Sequence, residues 1–178
     1  NSILDQLRET GGALNYCVRY ESTVTLSATN RDKLEAALER NINEWIDQIE
    51  GYDCSPYAHV PVKVVGWAAM NRATFDWADG EHPGLMYIGD DSFESAPQCA
   101  QACGRFFHHG AGYQYPDCEG GRDNHYDMSL WLTEGMNGGA GGDWGQRVGR
   151  GYFVGAIDQT TLHILSHEMG HGFGFPDY

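Results

Sequence analysis

Apolar residues recur at intervals of three and four from Leu34 through Leu38, Ile42, Trp45 and Ile46 to Ile49. That spacing puts one apolar stripe on a helix of about five turns. Thr29 and Asn30 offer N-caps, Asp32 suits the first turn and Gly51 suits the stop, so a helix is expected over Asp32–Glu50. Before it, Leu14–Leu26 is rich in aromatic and β-branched residues with partial alternation, the pattern of a strand. Val60–Ala68 reads as a second strand, interior after its proline-bearing start, and Gly84–Gly89 as a short third. Asn71–Pro83 reads as loop. Asp90–Asn124 holds three cysteines, two prolines and several glycines, and is expected to be an irregular insertion stapled by disulfide.

Tyr126–Leu132 alternates well enough for a further strand. Gly135–Gly151 carries eight glycines and is expected to be irregular, its length and position suggesting the rim of a cleft. Tyr152–Ile157 leads to Asp158 and Thr160, both suitable caps, and Leu162, Leu165 and Met169 mark the apolar face of a helix over Gln159–His171.

Composition narrows the class. A chain of 178 residues is long enough for one domain with a real core. No stretch reaches the apolar length that a membrane-crossing helix needs, so a membrane is not an expected partner. The net charge of −14, with only 11 Lys and Arg, also excludes nucleic acid as the expected partner, since phosphates must be met by cations. Cys17, Cys54, Cys99, Cys103 and Cys118 fit an exported, disulfide-bearing protein, as does a chain that begins at Asn1; their pairing is left open. Cys99 and Cys103 have no second pair to complete a structural zinc site.

The chemistry concentrates in His167-Glu168-Met169-Gly170-His171. Residues four apart on a helix lie about 40° apart around the axis and about 6 Å along it, so both imidazoles share a face and can reach one zinc ion. Glu168 points about 100° away from His167. It is placed to take a proton from a metal-bound water rather than to join the ligands. Gly174 would end the helix, Pro176 would prevent its resumption, and the chain can then turn back to offer Asp177 as an oxygen ligand.

His167–Asp177 resembles the long zinc signature of the metzincin metallopeptidases, and aspartate as the third ligand resembles the variant found in snapalysin-type secreted bacterial peptidases. The resemblance implies His167, His171 and Asp177 as ligands of a catalytic Zn2+, Glu168 as general base and acid, and extracellular hydrolysis of protein or peptide substrates. It implies an α+β metzincin-like domain over 1–178, a twisted sheet with two long helices, the active-site helix near the C-terminal end. Metzincins continue past the third ligand to a turn whose methionine lies beneath the metal, whereas this sequence stops at Tyr178. With the odd cysteine count, this leads to the expectation of an associated C-terminal fragment, cleaved after Tyr178. Intact mass under non-reducing conditions tests for it.

Three further readings complete the picture. His163, four residues before His167, is expected on the helix surface, and His108 and His109 in solvated loop. Asp76, Asp79, Asp90, Asp91, Asp117 and Asp123 supply oxygen for Ca2+ without the spacing of an EF-hand. An endopeptidase is set against two rivals. An exopeptidase would be stopped by a blocked N-terminus. A non-catalytic, zinc-stabilised binding protein would have no use for Glu168 and would need a fourth protein ligand.

Overall fold

The computed structural model describes residues 2–51, 55–89, 96–108 and 114–177. It is an α+β fold built on a mostly parallel six-stranded sheet with four helices. In chain order these are α1 (Ile3–Thr10), β1 (Leu14–Glu21), β2 (Leu26–Ser27), α2 (Ala28–Ile49), β3 (Val62–Ala69), β4 (Phe75–Asp76) and β5 (Leu85–Ile88). They are followed by β6 (Met128–Thr133), β7 (Gly139–Gly142), β8 (Gly145–Gly149), α3 (Arg150–Ala156) and α4 (His163–Phe173). The large sheet runs β5-β3-β1-β6-β8-β7, and β2 and β4 form a small parallel pair of their own. Only β7 is antiparallel, pairing with β8 through Gly139↔Val148 and Gly142↔Gly145, and it forms one edge.

β1 is buried along nearly its whole length, as a strand of a parallel sheet covered on both faces must be. Tyr16, Val18 and Tyr20 point into one apolar cluster with Leu38 and Ile42 of α2, Phe153 of α3, and Leu165 and Met169 of α4. Cys17 points to the other face, into a second cluster under the irregular segment. Two disulfides hold that segment down: Cys17–Cys99 ties it to β1, and Cys103–Cys118 closes it on itself. The expected staple is present in both; the fifth cysteine, Cys54, lies outside the described residues. No described helix is long and apolar enough to cross a membrane.

Several boundaries differ from the expectation, each for a physical reason. The first strand stops at Glu21 because Ser22 turns the chain, its hydroxyl accepting the Val24 N–H at 3.0 Å, and Leu26 begins the separate β2. α2 starts at Ala28, since Ser27 and not Thr29 or Asn30 is its cap, accepting the Asn30 N–H at 3.2 Å. The final helix starts at His163 rather than Gln159. Arg40 of α2 takes the carbonyls of Ile157, Gln159 and Thr160, and Asn41 Oδ1 accepts the Leu162 N–H at 2.9 Å. Those groups are thereby held out of helical pairing, and Tyr152 of α3, whose hydroxyl accepts the Ile164 N–H at 3.0 Å, supplies the cap that Asp158 and Thr160 were expected to give. Asp158 instead pairs with Lys33 at 2.7 Å.

The Asn71–Pro83 loop contains a short helical turn and β4. Of the Asp90–Asn124 segment, residues 90–95 and 109–113 lie outside the described residues, and the rest consists of short turns. The largest correction concerns Gly135–Gly151, which is regular: it forms the β7–β8 hairpin and enters α3. α1 and α3 are also additional to the two long helices expected. α1 carries a full capping box between Ser2 and Asp5 and ends at left-handed Gly11.

β6 is docked by a hydrogen-bonded His125–Asp127 pair at its base. His125 Nε2 meets Asp127 Oδ1 at 3.2 Å, its Nδ1 meets the Arg122 carbonyl, and Asp127 Oδ2 accepts the Asn15 N–H at 2.8 Å. Burial works against a charged imidazole, but the Asp127 carboxylate and the Arg122 carbonyl outweigh it and raise the His125 pKa. A raised histidine pKa contributes stability that is full below the unfolded value of about 6.5 and is lost as pH rises through the folded value. The melting temperature is therefore expected to fall from about pH 6.5 upward, and Asp127→Asn to flatten that slope. Thermal scans of both proteins across this range check it; parallel slopes would refute the role of the pair.

Candidate metal centre

α4 is braced from two sides before its chemistry begins. Trp45 of α2 donates its indole N–H to the Ser166 carbonyl at 2.9 Å and lies against Gly170, where a Cβ would stand 2.9 Å from its ring. On the opposite side β7 crosses the helix so closely that a Cβ on Gly141 would lie 2.1 Å from the Glu168 carbonyl oxygen. The helix ends at Gly174, with φ of +99°, a conformation that glycine adopts without Cβ strain. Phe175 then folds back, its N–H donating to the Gly170 carbonyl at 3.0 Å and its ring stacking on Trp45 at 5.3 Å.

This return brings Asp177 to the histidines. His167 Nε2 lies 3.1 Å from Asp177 Oδ1, and His171 Nε2 lies 3.4 Å from the same oxygen. The two imidazoles meet edge to face with centroids 4.9 Å apart. His171 Nδ1 is 2.7 Å from the Phe175 carbonyl, which fixes the proton on Nδ1 and turns Nε2 toward the centre. Glu168 stands beside the histidines, Oε2 3.8 Å from His171 Nε2, and is buried, whereas His171 is half-buried and His167 exposed. Burial pushes its carboxyl pKa up, opposed by the imidazoles of His167 and His171. The ligand atoms of His167, Glu168 and His171 lie within 4.8 Å of one another.

The donor set suits zinc. Two ligands at about 2.0–2.1 Å from a tetrahedral ion stand about 3.3 Å apart, close to both imidazole–carboxylate distances here. A cleft of about 680 Å3 opens over the group, with β7 along one side and the Gly174–Asp177 return along the other. Among the described residues His167, Glu168 and His171 are the one gathering of three such side chains. Of the aspartates put forward for calcium, Asp76, Asp79, Asp117 and Asp123 form none, Asp79 pairing with Arg72 at 2.8 Å, and Asp90 and Asp91 lie outside the described residues. His163 is exposed at the start of α4, as expected, and His108 bonds the Gln101 carbonyl at 3.1 Å.

All four residues picked from the sequence thus come together. Those not picked are the ones that hold them: Trp45, the Phe175 carbonyl, Gly139 and Gly141. The glycines left a visible trace, since two of them two residues apart fit a strand pressed against something on one face. Comparison with protein-family models, with curated proteins and with solved structures finds no match.

Proposed function

We propose that the chain is a zinc-dependent endopeptidase of metzincin type, acting outside the cell. One observation carries the reading. His167 and His171 meet the Asp177 carboxylate at 3.1 and 3.4 Å, and a buried carboxylate, Glu168, stands beside them with Oε2 3.8 Å from His171 Nε2. Zinc held there supplies a polarised substrate carbonyl and a bound water acidified toward neutrality. Glu168 takes the proton of the attacking water and returns it to the leaving amine nitrogen. The Phe175 carbonyl keeps His171 in the tautomer that binds through Nε2.

Substrate placement follows from β7. As the edge strand it presents main-chain groups along its outer side, and it passes directly over Glu168. An extended chain added to that edge would be held by main-chain hydrogen bonds, which read the middle of a peptide rather than its end. This favours an endopeptidase. The two disulfides favour an oxidising, extracellular setting.

The test is metal content by plasma mass spectrometry on dialysed protein, with casein hydrolysis before and after chelation. We expect about one zinc per chain, as a three-ligand catalytic site requires, with activity lost to chelator and restored by zinc. Folded protein that takes up no zinc and cuts no casein would overturn the proposal.

A further inference from the structure

A second cavity lies behind β7, on the sheet face opposite the helices, with a volume of about 330 Å3. Trp131 of β6 forms part of its lining. Arg19 and Arg147, from the two flanking strands, lay their guanidinium groups 3.9 Å and 3.6 Å from the Trp131 ring centre. Both are committed elsewhere: Arg19 Nε donates to the Pro97 carbonyl at 2.7 Å, and Arg147 donates to Thr133 Oγ1 and Glu21 Oε2. The remaining wall is largely aromatic, from Phe106, Phe107, Tyr126 and Trp144, with Asp127 and Ser129 beside them. One polar atom stands out in it. Gln98 is 1% exposed and donates its amide N–H to Tyr126 at 2.8 Å, but its Oε1 is buried without a hydrogen-bond partner.

β7 joins this cavity to the metal centre. Gly139 and Gly141 face Glu168, whereas Ala140, between them, is exposed and forms the cavity wall at the sheet edge. Successive residues of a strand point to opposite faces, and a peptide paired with β7 divides its own side chains between the same two faces. One of them must come level with Ala140, whose small side chain leaves the way in open.

We infer that this cavity is a side-chain subsite for an aromatic residue of the substrate. Tryptophan and tyrosine fit best, since an indole N–H or phenol O–H can satisfy Gln98 Oε1 while the ring fills the aromatic wall. The inference rests on the peptidase reading and names the substrates that site would select.

The experiment uses zinc-loaded protein and fluorogenic peptides blocked at both ends. They carry Trp, Tyr, Phe or Gly at one position, moved step by step along the sequence around the cut. At one position Trp and Tyr should exceed Gly in kcat/KM by about tenfold or more, with Phe between. Ala140→Leu fills the entrance and should bring the Trp-to-Gly ratio close to one. Ala140→Val should lower it less, and Gln98→Leu should remove the advantage of Trp and Tyr over Phe while keeping that of Phe over Gly. A ratio near one at every position, or ratios unchanged in both Ala140 variants, would overturn the subsite and leave the peptidase standing. No cleavage of any peptide would overturn the peptidase reading, and the subsite with it.

Discussion

Glu168→Gln is expected to lower kcat/KM for peptide hydrolysis by about 10²–10⁴-fold, the usual worth of a positioned general base, while zinc content stays at the parental level. The change keeps the size and shape of a side chain that is almost wholly enclosed between α4 and β7. It removes only the ability to take a proton. In barrier terms the loss is about 3–5 kcal/mol. Stability should not fall with it, because a buried carboxylate with a raised pKa gives up solvation in the folded state and an amide gives up less. His171→Ala provides the contrast: it deletes a ligand, so zinc and activity should be lost together. Kinetics and metal analysis on the two variants separate the roles. A Glu168→Gln protein with parental turnover would leave Glu168 without its assigned part and favour a zinc-stabilised binding protein instead.

Much of the centre was legible because its signals are local. His167, Glu168 and His171 lie within five residues of one helix, and a helix converts spacing into facing without help from the rest of the fold. Gly174 and Asp177 extend that reach by one turn, since a left-handed glycine has few structural meanings at a helix end. The interior strands were legible for the same reason, as in Val62–Ala69, where an apolar run broken only by the exposed Lys63 needs no knowledge of its neighbours.

What escaped was set by partners far away in sequence. The start of α4 is decided by Arg40 and Asn41, more than a hundred residues upstream, and no local cap at Asp158 or Thr160 competes with four hydrogen bonds from another helix. The β7–β8 hairpin escaped because glycine ordinarily weakens a strand. Here the glycines are required by contact: Glu168 presses on Gly139 and Gly141, and Ser129 on Gly145. Low strand propensity and high structural demand coincide at these positions, and only the tertiary neighbour distinguishes them from a loop.

That contact yields the second large effect. Gly141→Ala should destabilise the protein by about 3 kcal/mol, the upper part of the range for overpacking, because the new methyl would stand 2.1 Å from the Glu168 carbonyl oxygen and 2.7 Å from its carbon. Both are backbone atoms, so no rotamer change relieves the clash, and β7 must separate from α4. For a domain of this size the melting temperature should drop by about 6–12 °C. Gly139→Ala meets the Glu168 side chain instead, with Oε1 at 2.5 Å and Cγ at 2.6 Å. A side chain can turn aside where a backbone cannot, so this variant should keep more of its stability yet lose activity through a displaced base. Gly155→Ala is the control: nothing stands within 4 Å of its would-be Cβ, it lies exposed in α3, and alanine there should stabilise by about 0.5–1 kcal/mol. Melting curves and peptide kinetics on the three variants would show whether β7 is held against α4 by contact at these glycines. Equal melting temperatures for the Gly141 and Gly155 variants would mean that it is not.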